Sequence, residues 1–253
     1  MTEVNSLRRE EDIYVVAGGG GALGLEVCRN LTNAGHVIIV DIGHAAAKAA
    51  ELLQLDGLDV TYTVCDVSNA ADTAALREFT LSKFGKIDAV INLAGVARND
   101  RLVNVVDAEF DLTMASHARG TMNMMRTFAP VMQKRKYGRI INTSSVVALG
   151  ASHATSYSAA KGAIEAMTRT AAVELAKYGI TVNCVAPGVV SGGMFQQQPE
   201  IARDHMIERT PMRRAGYPSE IAACYRFLSS REASFVTGQI LYVCGGASIG
   251  VFN

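Results

Sequence analysis

The sequence lacks several things, and each absence narrows the reading. It has no C-x-x-C pair: its five cysteines, Cys28, Cys65, Cys184, Cys224 and Cys244, stand singly. An odd count without ligand spacing argues against a disulfide framework and against a zinc site. Cysteines set in apolar runs, as Cys28, Cys65 and Cys184 are, behave as small hydrophobes. There is no net charge, with 24 basic side chains against 24 acidic ones. No overall field would therefore gather nucleic acid or an acidic membrane, and little keeps copies of the chain apart. No run approaches the ~20 apolar residues needed to span a bilayer. The opening MTEVNSLRREED is too polar for a secretory signal. There is also no Pro/Ser-rich linker and no charge block to mark a domain boundary. The expectation is a soluble, cytoplasmic protein folded as one domain over 1–253, with 1–11 as a polar extension and no metal site.

What the sequence has in abundance is short β-branched runs, each followed by a helical pattern. The strand candidates are IYVVA (13–17), HVIIVD (36–41), DVTYTVC (59–65), IDAVINL (87–93), GRIINTS (138–144), ITVNCVA (180–186) and QILYVCG (239–245). They are continuous apolar runs, as strands covered on both faces should be. Between them lie alanine- and leucine-rich stretches such as AAAKAAELLQL (45–55) and the long segment 156–178. In the latter, Ala159, Ala163, Ala166, Ala171 and Leu175 keep helical spacing. Parallel strands need crossover connections, so this alternation predicts an α/β fold. The predicted architecture is one Rossmann-type doubly wound parallel sheet of about seven strands with helices on both faces.

The first strand runs into AGGGGALG (17–24) and then into the helical LEVCRNLTNAG (25–35). Glycines there let the backbone turn tightly against a pyrophosphate, while the helix N-terminus offers free N–H groups and a positive dipole end. Asp41 ends the second strand about twenty residues later, where a carboxylate accepts hydrogen bonds from both adenosine ribose hydroxyls and repels a 2′-phosphate. No Arg or Lys follows in IGHAAA (42–47), so nothing there would neutralise such a phosphate. NAD is expected rather than NADP.

From Ile13 to Gly246 the chain resembles the short-chain dehydrogenase/reductase family. Against that family's T-G-x-x-x-G-x-G motif, Gly18 and Gly24 match, while Ala17 replaces the threonine and Ala22 the middle glycine. Asp66-Val67 is similar to the family's adenine-contacting D-V pair, and Asn92-Leu93-Ala94-Gly95 to its N-N-A-G strand end. Pro187-Gly188 followed by Val190 is similar to its P-G-x-I/V turn, where a backbone amide meets the carboxamide of the nicotinamide. At the end of the last strand Cys244 stands where the family's V-D-G-G carries aspartate. The resemblance implies that Gly18, Ala22, Leu23, Gly24, Asp41, Ile42, Asp66, Val67, Asn92, Ala94, Gly95, Pro187, Gly188 and Val190 contact the cofactor, with Tyr157 and Lys161.

Tyr157 and Lys161 form a Y-x-x-x-K motif, and residues four apart share one face of a helix. The ammonium is expected to favour tyrosinate and lower the phenol's pKa, since free tyrosine near ~10 is a poor base at neutral pH. A serine hydroxyl should hold the substrate oxygen. In Asn142-Thr143-Ser144-Ser145-Val146-Val147, Ser145 matches the family's catalytic serine by its neighbours, and Ser144 matches it by distance to the tyrosine. Ser145 is the choice here, because a shortened loop is tolerated more easily than a shifted strand end. His117 stands three residues before Gly120, where the family often has an asparagine in a proton path. Imidazole can both donate and accept, and would add a group titrating near ~6.5.

The resemblance also implies a substrate lid at 189–212, with Met194, Phe195 and Met206 as apolar contacts and Gln196 to Gln198 as polar ones. Gly192 replaces an expected threonine. The stretch 98–109 and His153 form the other wall, His153 being read as a loop residue. Arg98, Arg101 and Arg203 are candidates for an anionic substrate or simply solvated. The implied activity is hydride transfer between NAD(H) and a secondary alcohol or ketone, such as a hydroxyacyl thioester or a cyclic alcohol, by a homotetramer. The alternative is a dinucleotide-binding regulatory protein without turnover, suggested by the departures at Ala17, Ala22, His117, Gly192 and Cys244.

Overall fold

All seven strand candidates lie side by side in one parallel sheet, the third outermost, then the second, first, fourth, fifth, sixth and seventh in chain order. The computed structural model describes residues 11–96 and 98–249. Most of the expected extension 1–11, the end of the apolar tail 247–253 and the Met194 side chain fall outside that description. The strands are β1 (Asp12–Ala17), β2 (Gly35–Asp41), β3 (Val60–Val64), β4 (Ala89–Asn92), β5 (Gly138–Thr143), β6 (Ile180–Pro187) and β7 (Ile240–Val243). The order reverses between β1 and β4, which opens a crevice beyond the carboxyl ends of those strands, where doubly wound sheets bind ligands.

Helices cover both faces: α1 (Ala22–Leu31), α2 (Ala45–Leu55), α3 (Ala70–Phe84), α4 (Asp107–Met114), α5 (Gly120–Arg135), α6 (Thr155–Leu175), α7 (Gly193–Gln196), α8 (Glu200–Glu208) and α9 (Pro218–Ser229). One apolar layer joins β1 and β2 to α1, α2 and α9 through Val16, Ile39, Leu31, Leu53 and Tyr225. The other joins the opposite face to α5 and α6 through Val15, Ile38, Val90, Phe128 and Met132. Burial on both faces holds for the inner strands. It fails at the edges, where Tyr62 and Val64 of β3 and Leu241 of β7 are exposed.

The long helix forms as expected, but its alanine stripe is not its buried one. Ala159 and Ala166 face out, and the buried face carries Ser156, Ala160, Lys161, Ile164, Glu165, Thr168, Ala172 and Leu175. A second local departure is a five-residue π-helical turn, Ala115–Arg119, between α4 and α5. Such bulges are rare and concentrate at functional sites; this one carries His117. Among the described residues no helix is long and apolar enough to cross a membrane.

Candidate active site

The glycine turn after β1 is shaped by close approach. Gly18 has φ 82, and a Cβ built on it would lie 2.5 Å from the Ala94 amide nitrogen. The turn thus rests directly on the Leu93-Ala94 strand end, and Gly18 and Gly19 both donate their N–H to the Val40 carbonyl, at 2.8 and 3.2 Å. No side chain caps α1. Its first amides are therefore left to an outside acceptor, as at any uncapped helix start.

Asp41 stands at the same rim. Its Oδ2 accepts the Gly20 N–H at 2.9 Å and its Oδ1 the Ile42 N–H at 2.8 Å. A carboxylate has about four lone-pair sites, so two remain for hydroxyl donors. Free amides, a cradle that a side chain would fill and a spare carboxylate suit a pyrophosphate joined to a ribose. Asp66 and Val67 sit across the rim, Asp66 exposed and Val67 buried. The Asn123 side chain on α5 holds this loop by donating to the carbonyls of Val67 and Ser68, at 2.8 and 3.1 Å. Asn92 donates to Asn142 across the strand ends at 2.9 Å, and buried Cys184 stands beside Asn142 on β6. Cys244 lies against Gly188, with Ser248 donating its N–H to the sulfur at 3.4 Å.

The other side of the crevice is assembled by β5 and α6. Lys161 is buried, and its Nζ donates to the Thr143 carbonyl at 2.8 Å. The same nitrogen lies 5.3 Å from the Tyr157 ring centroid. Burial pushes the ammonium down to about 8. The expected depression of the phenol is not what this site gives: burial pushes Tyr157 up to about 12, and only the Ser145 hydroxyl pulls it back. Lys161 spends its charge on a carbonyl, and the desolvation of the phenol outweighs any help from it.

The two adjacent serines point to different partners. The Ser144 hydroxyl donates to Glu165 Oε1 at 2.9 Å, away from the crevice. The Ser145 hydroxyl accepts the Val147 N–H at 3.2 Å and lies on the Tyr157 side. Glu165 is a residue that sequence reasoning passed over, although it continues the four-residue step of Tyr157 and Lys161.

His117 reaches the same centre, its ring 5.2 Å from that of Tyr157 in an edge-on arrangement. It is buried, and among the described residues neither ring nitrogen makes a close hydrogen bond, although the Val96 backbone lies near enough to favour the protonated form slightly. Gly95 makes room for it: with φ 156, a Cβ there would fall 1.9 Å from His117 Cε1. Burial and the neighbouring Lys161 charge push the imidazole down to about 2. The expectation of a group titrating near ~6.5 is therefore corrected; this imidazole stays neutral.

Over the crevice, the expected lid begins with a bridge between Val190 and Gly216 and with the Ser191 N–H donating to the Gly216 carbonyl at 2.9 Å. Across from it, exposed His153 accepts a hydrogen bond from Arg101 Nε at 3.0 Å and bonds Ser152. Arg98 pairs with Glu109 at 3.1 Å.

Comparison with known proteins agrees with this geometry. Residues 20–248 match the family model described as enoyl-(acyl carrier protein) reductase. The chain is 34% identical over 239 residues to the Thauera aromatica protein named (2S)-((R)-hydroxy(phenyl)methyl)succinyl-CoA dehydrogenase subunit BbsD, covering 94% of this chain and 96% of that one. Levodione reductase has a similar structure, with TM-score 0.89, 31% identity, and coverage of 95% of this chain and 99% of that one. So has an NAD+-bound xylitol dehydrogenase, with TM-score 0.89, 29% identity, and coverage of 93% and 98%.

Proposed function

The chain belongs to the short-chain dehydrogenase/reductase family of oxidoreductases, and from that premise we propose that it transfers a hydride between NAD(H) and a secondary alcohol or ketone at a site made of Ser145, Tyr157 and Lys161. The observation that carries the reading is the convergence of a buried ammonium, a phenol and a free-facing serine hydroxyl at the carboxyl ends of β5 and β6. Gly18, Ala22, Leu23 and Gly24 would receive the pyrophosphate, Asp41 and Ile42 the ribose, and Asp66 and Val67 the adenine. Asn92, Ala94, Gly95, Pro187, Gly188 and Val190 would line the nicotinamide end. Asp41 without a neighbouring cation favours NAD over NADP, and the similar xylitol dehydrogenase was solved with NAD+.

Bound NAD supplies the carbon that takes or returns the hydride and, when oxidised, a positive charge. The protein's residues do the rest. In reduction Ser145 holds the carbonyl oxygen while the Tyr157 phenol gives it a proton; in the oxidative direction the positive charge of the oxidised cofactor would favour tyrosinate, which takes that proton back. Near neutral pH Tyr157 is protonated and ready to donate. Lys161 keeps a positive charge below about 8 and would hold the nicotinamide ribose. His117, held neutral by its burial, passes the proton outward by accepting at one ring nitrogen and donating at the other.

The whole chain acts as one dinucleotide-binding and catalytic domain, soluble in the cytoplasm, with 189–212 closing over the substrate. A hydroxyacyl thioester fits the likeness to a protein named as a subunit of a dehydrogenase for a hydroxylated succinyl-CoA. Assembly as a homotetramer follows from the family; a monomer in light scattering would end it. Fluorescence titration with NADH, followed by a panel of secondary alcohols with Tyr157→Phe as control, tests the activity. Turnover lost in the control supports it. Binding without turnover on the whole panel favours a regulatory dinucleotide binder, and tighter binding of NADPH than NADH overturns the Asp41 argument.

A further inference from the structure

The face of α6 that carries Tyr157 and Lys161 carries a third polar side chain, Glu165, four places further on and 8% exposed. Burying a carboxylate is costly unless its oxygens are paired. Here the Ser144 hydroxyl donates to Oε1 at 2.9 Å and the Tyr242 hydroxyl to the same oxygen at 3.2 Å, while Arg169 Nη2 lies 3.4 Å from Oε2. β7, α6 and the end of β5 thus meet on one carboxylate.

The consequence falls on the strand end. Ser144 has one hydroxyl proton, and Glu165 is its nearer acceptor, the Lys161 carbonyl lying at 3.3 Å. The Ser144 N–H is also fixed, on the Val185 carbonyl at 2.8 Å. Ser144 is therefore held toward α6. Ser145 is extended, with φ −164 and ψ 155, and in extended chain successive side chains point to opposite sides. Holding Ser144 on α6 turns Ser145 toward Tyr157. An alternative acceptor among the described residues, the Pro187 carbonyl, is at 3.5 Å, too long to compete strongly for the hydroxyl proton.

We propose that Glu165 is a positioning residue that decides which of the two adjacent serines faces the substrate oxygen, by holding the Ser144 hydroxyl against α6. The inference rests on the functional reading above. It is tested with Glu165→Leu, Glu165→Gln, Ser144→Ala and the Ser144→Ala/Glu165→Leu double variant, by kinetics, NADH titration and crystallography of each protein without ligand. In Glu165→Leu the Ser145 hydroxyl should turn away from Tyr157, and kcat should fall about 10- to 100-fold, the cost of a small misplacement in an active site. NADH affinity should not change. Glu165→Gln, whose amide oxygen still accepts from Ser144, should recover most of kcat, and the double variant should lose no more than Glu165→Leu alone.

Wild-type kcat in Glu165→Leu, or an unmoved Ser145 hydroxyl, overturns the inference. So does a Gln variant as poor as the Leu one. Should Glu165→Leu fail to fold, Ser144→Ala must still lower kcat at unchanged KM, and wild-type kcat there overturns it equally. If the wild-type protein turns over no alcohol while Ser145 swings in the Glu165→Leu crystal, the functional reading fails and the positioning role stands.

Discussion

On the β1–β2 side the crevice is made of backbone: a glycine turn resting on Ala94, uncapped amides of α1 and one carboxylate, Asp41, that braces the turn. On the β5–α6 side it is made of buried side chains: Lys161, His117, Ser144 and Glu165 are all under a tenth exposed. A backbone site tolerates substitution wherever the new side chain has room, as at exposed Ala22. A site of buried polar groups tolerates little, because each group left without a partner pays its full desolvation. The first side should therefore govern binding, and the second turnover.

Substitutions should separate the two. The largest effect belongs to Tyr157→Phe, which should lower kcat by at least about 100-fold, the scale of a lost general acid–base group, with NADH affinity intact in a fluorescence titration. Asp41→Asn should do the reverse. Losing a charged hydrogen-bond acceptor costs about 1.5–3 kcal/mol, so NADH should bind ~10- to 100-fold more weakly, with NADPH no weaker than before and kcat at saturation little changed.

A smaller effect is expected of Gly18→Ala, which puts a side chain into a left-handed conformation against the Ala94 amide. Strain of about 1–3 kcal/mol should lower both Tm and NADH affinity. The subtlest test is His117→Asn. With its pKa at about 2 the native imidazole binds no proton over the range where the unfolded one, near 6.5, does. Stability is therefore lost as pH falls below about 6.5. The asparagine variant should lose less Tm on mild acidification, and the wild-type pH–rate profile should show no step near ~6.5.

What could be read from the sequence follows the same division. The seven strands, the glycine turn, Asp41 and the Tyr157–Lys161 step are local patterns, and chain order alone displays them. The buried face of α6 was hidden, because alanine spacing matches more than one stripe and the true one carries Lys161 and Glu165, polar residues retained for the site. The electrostatics were hidden as well. Tyr157 rises and His117 falls because of burial, which only the packed structure supplies. The choice between Ser144 and Ser145, open by spacing, turns on Glu165, which lies 21 residues beyond Ser144.

Deuterium transfer puts the whole reading to one test. The protein is mixed with NAD+ and secondary alcohols carrying deuterium on the carbinol carbon, and the NADH formed is examined by mass spectrometry. Deuterium should appear in the NADH with the wild-type protein and be absent with Tyr157→Phe, both proteins binding NADH equally. Equal binding with no deuterium transferred from any alcohol, or equal transfer by both proteins, would contradict a hydride-transfer site built on Tyr157.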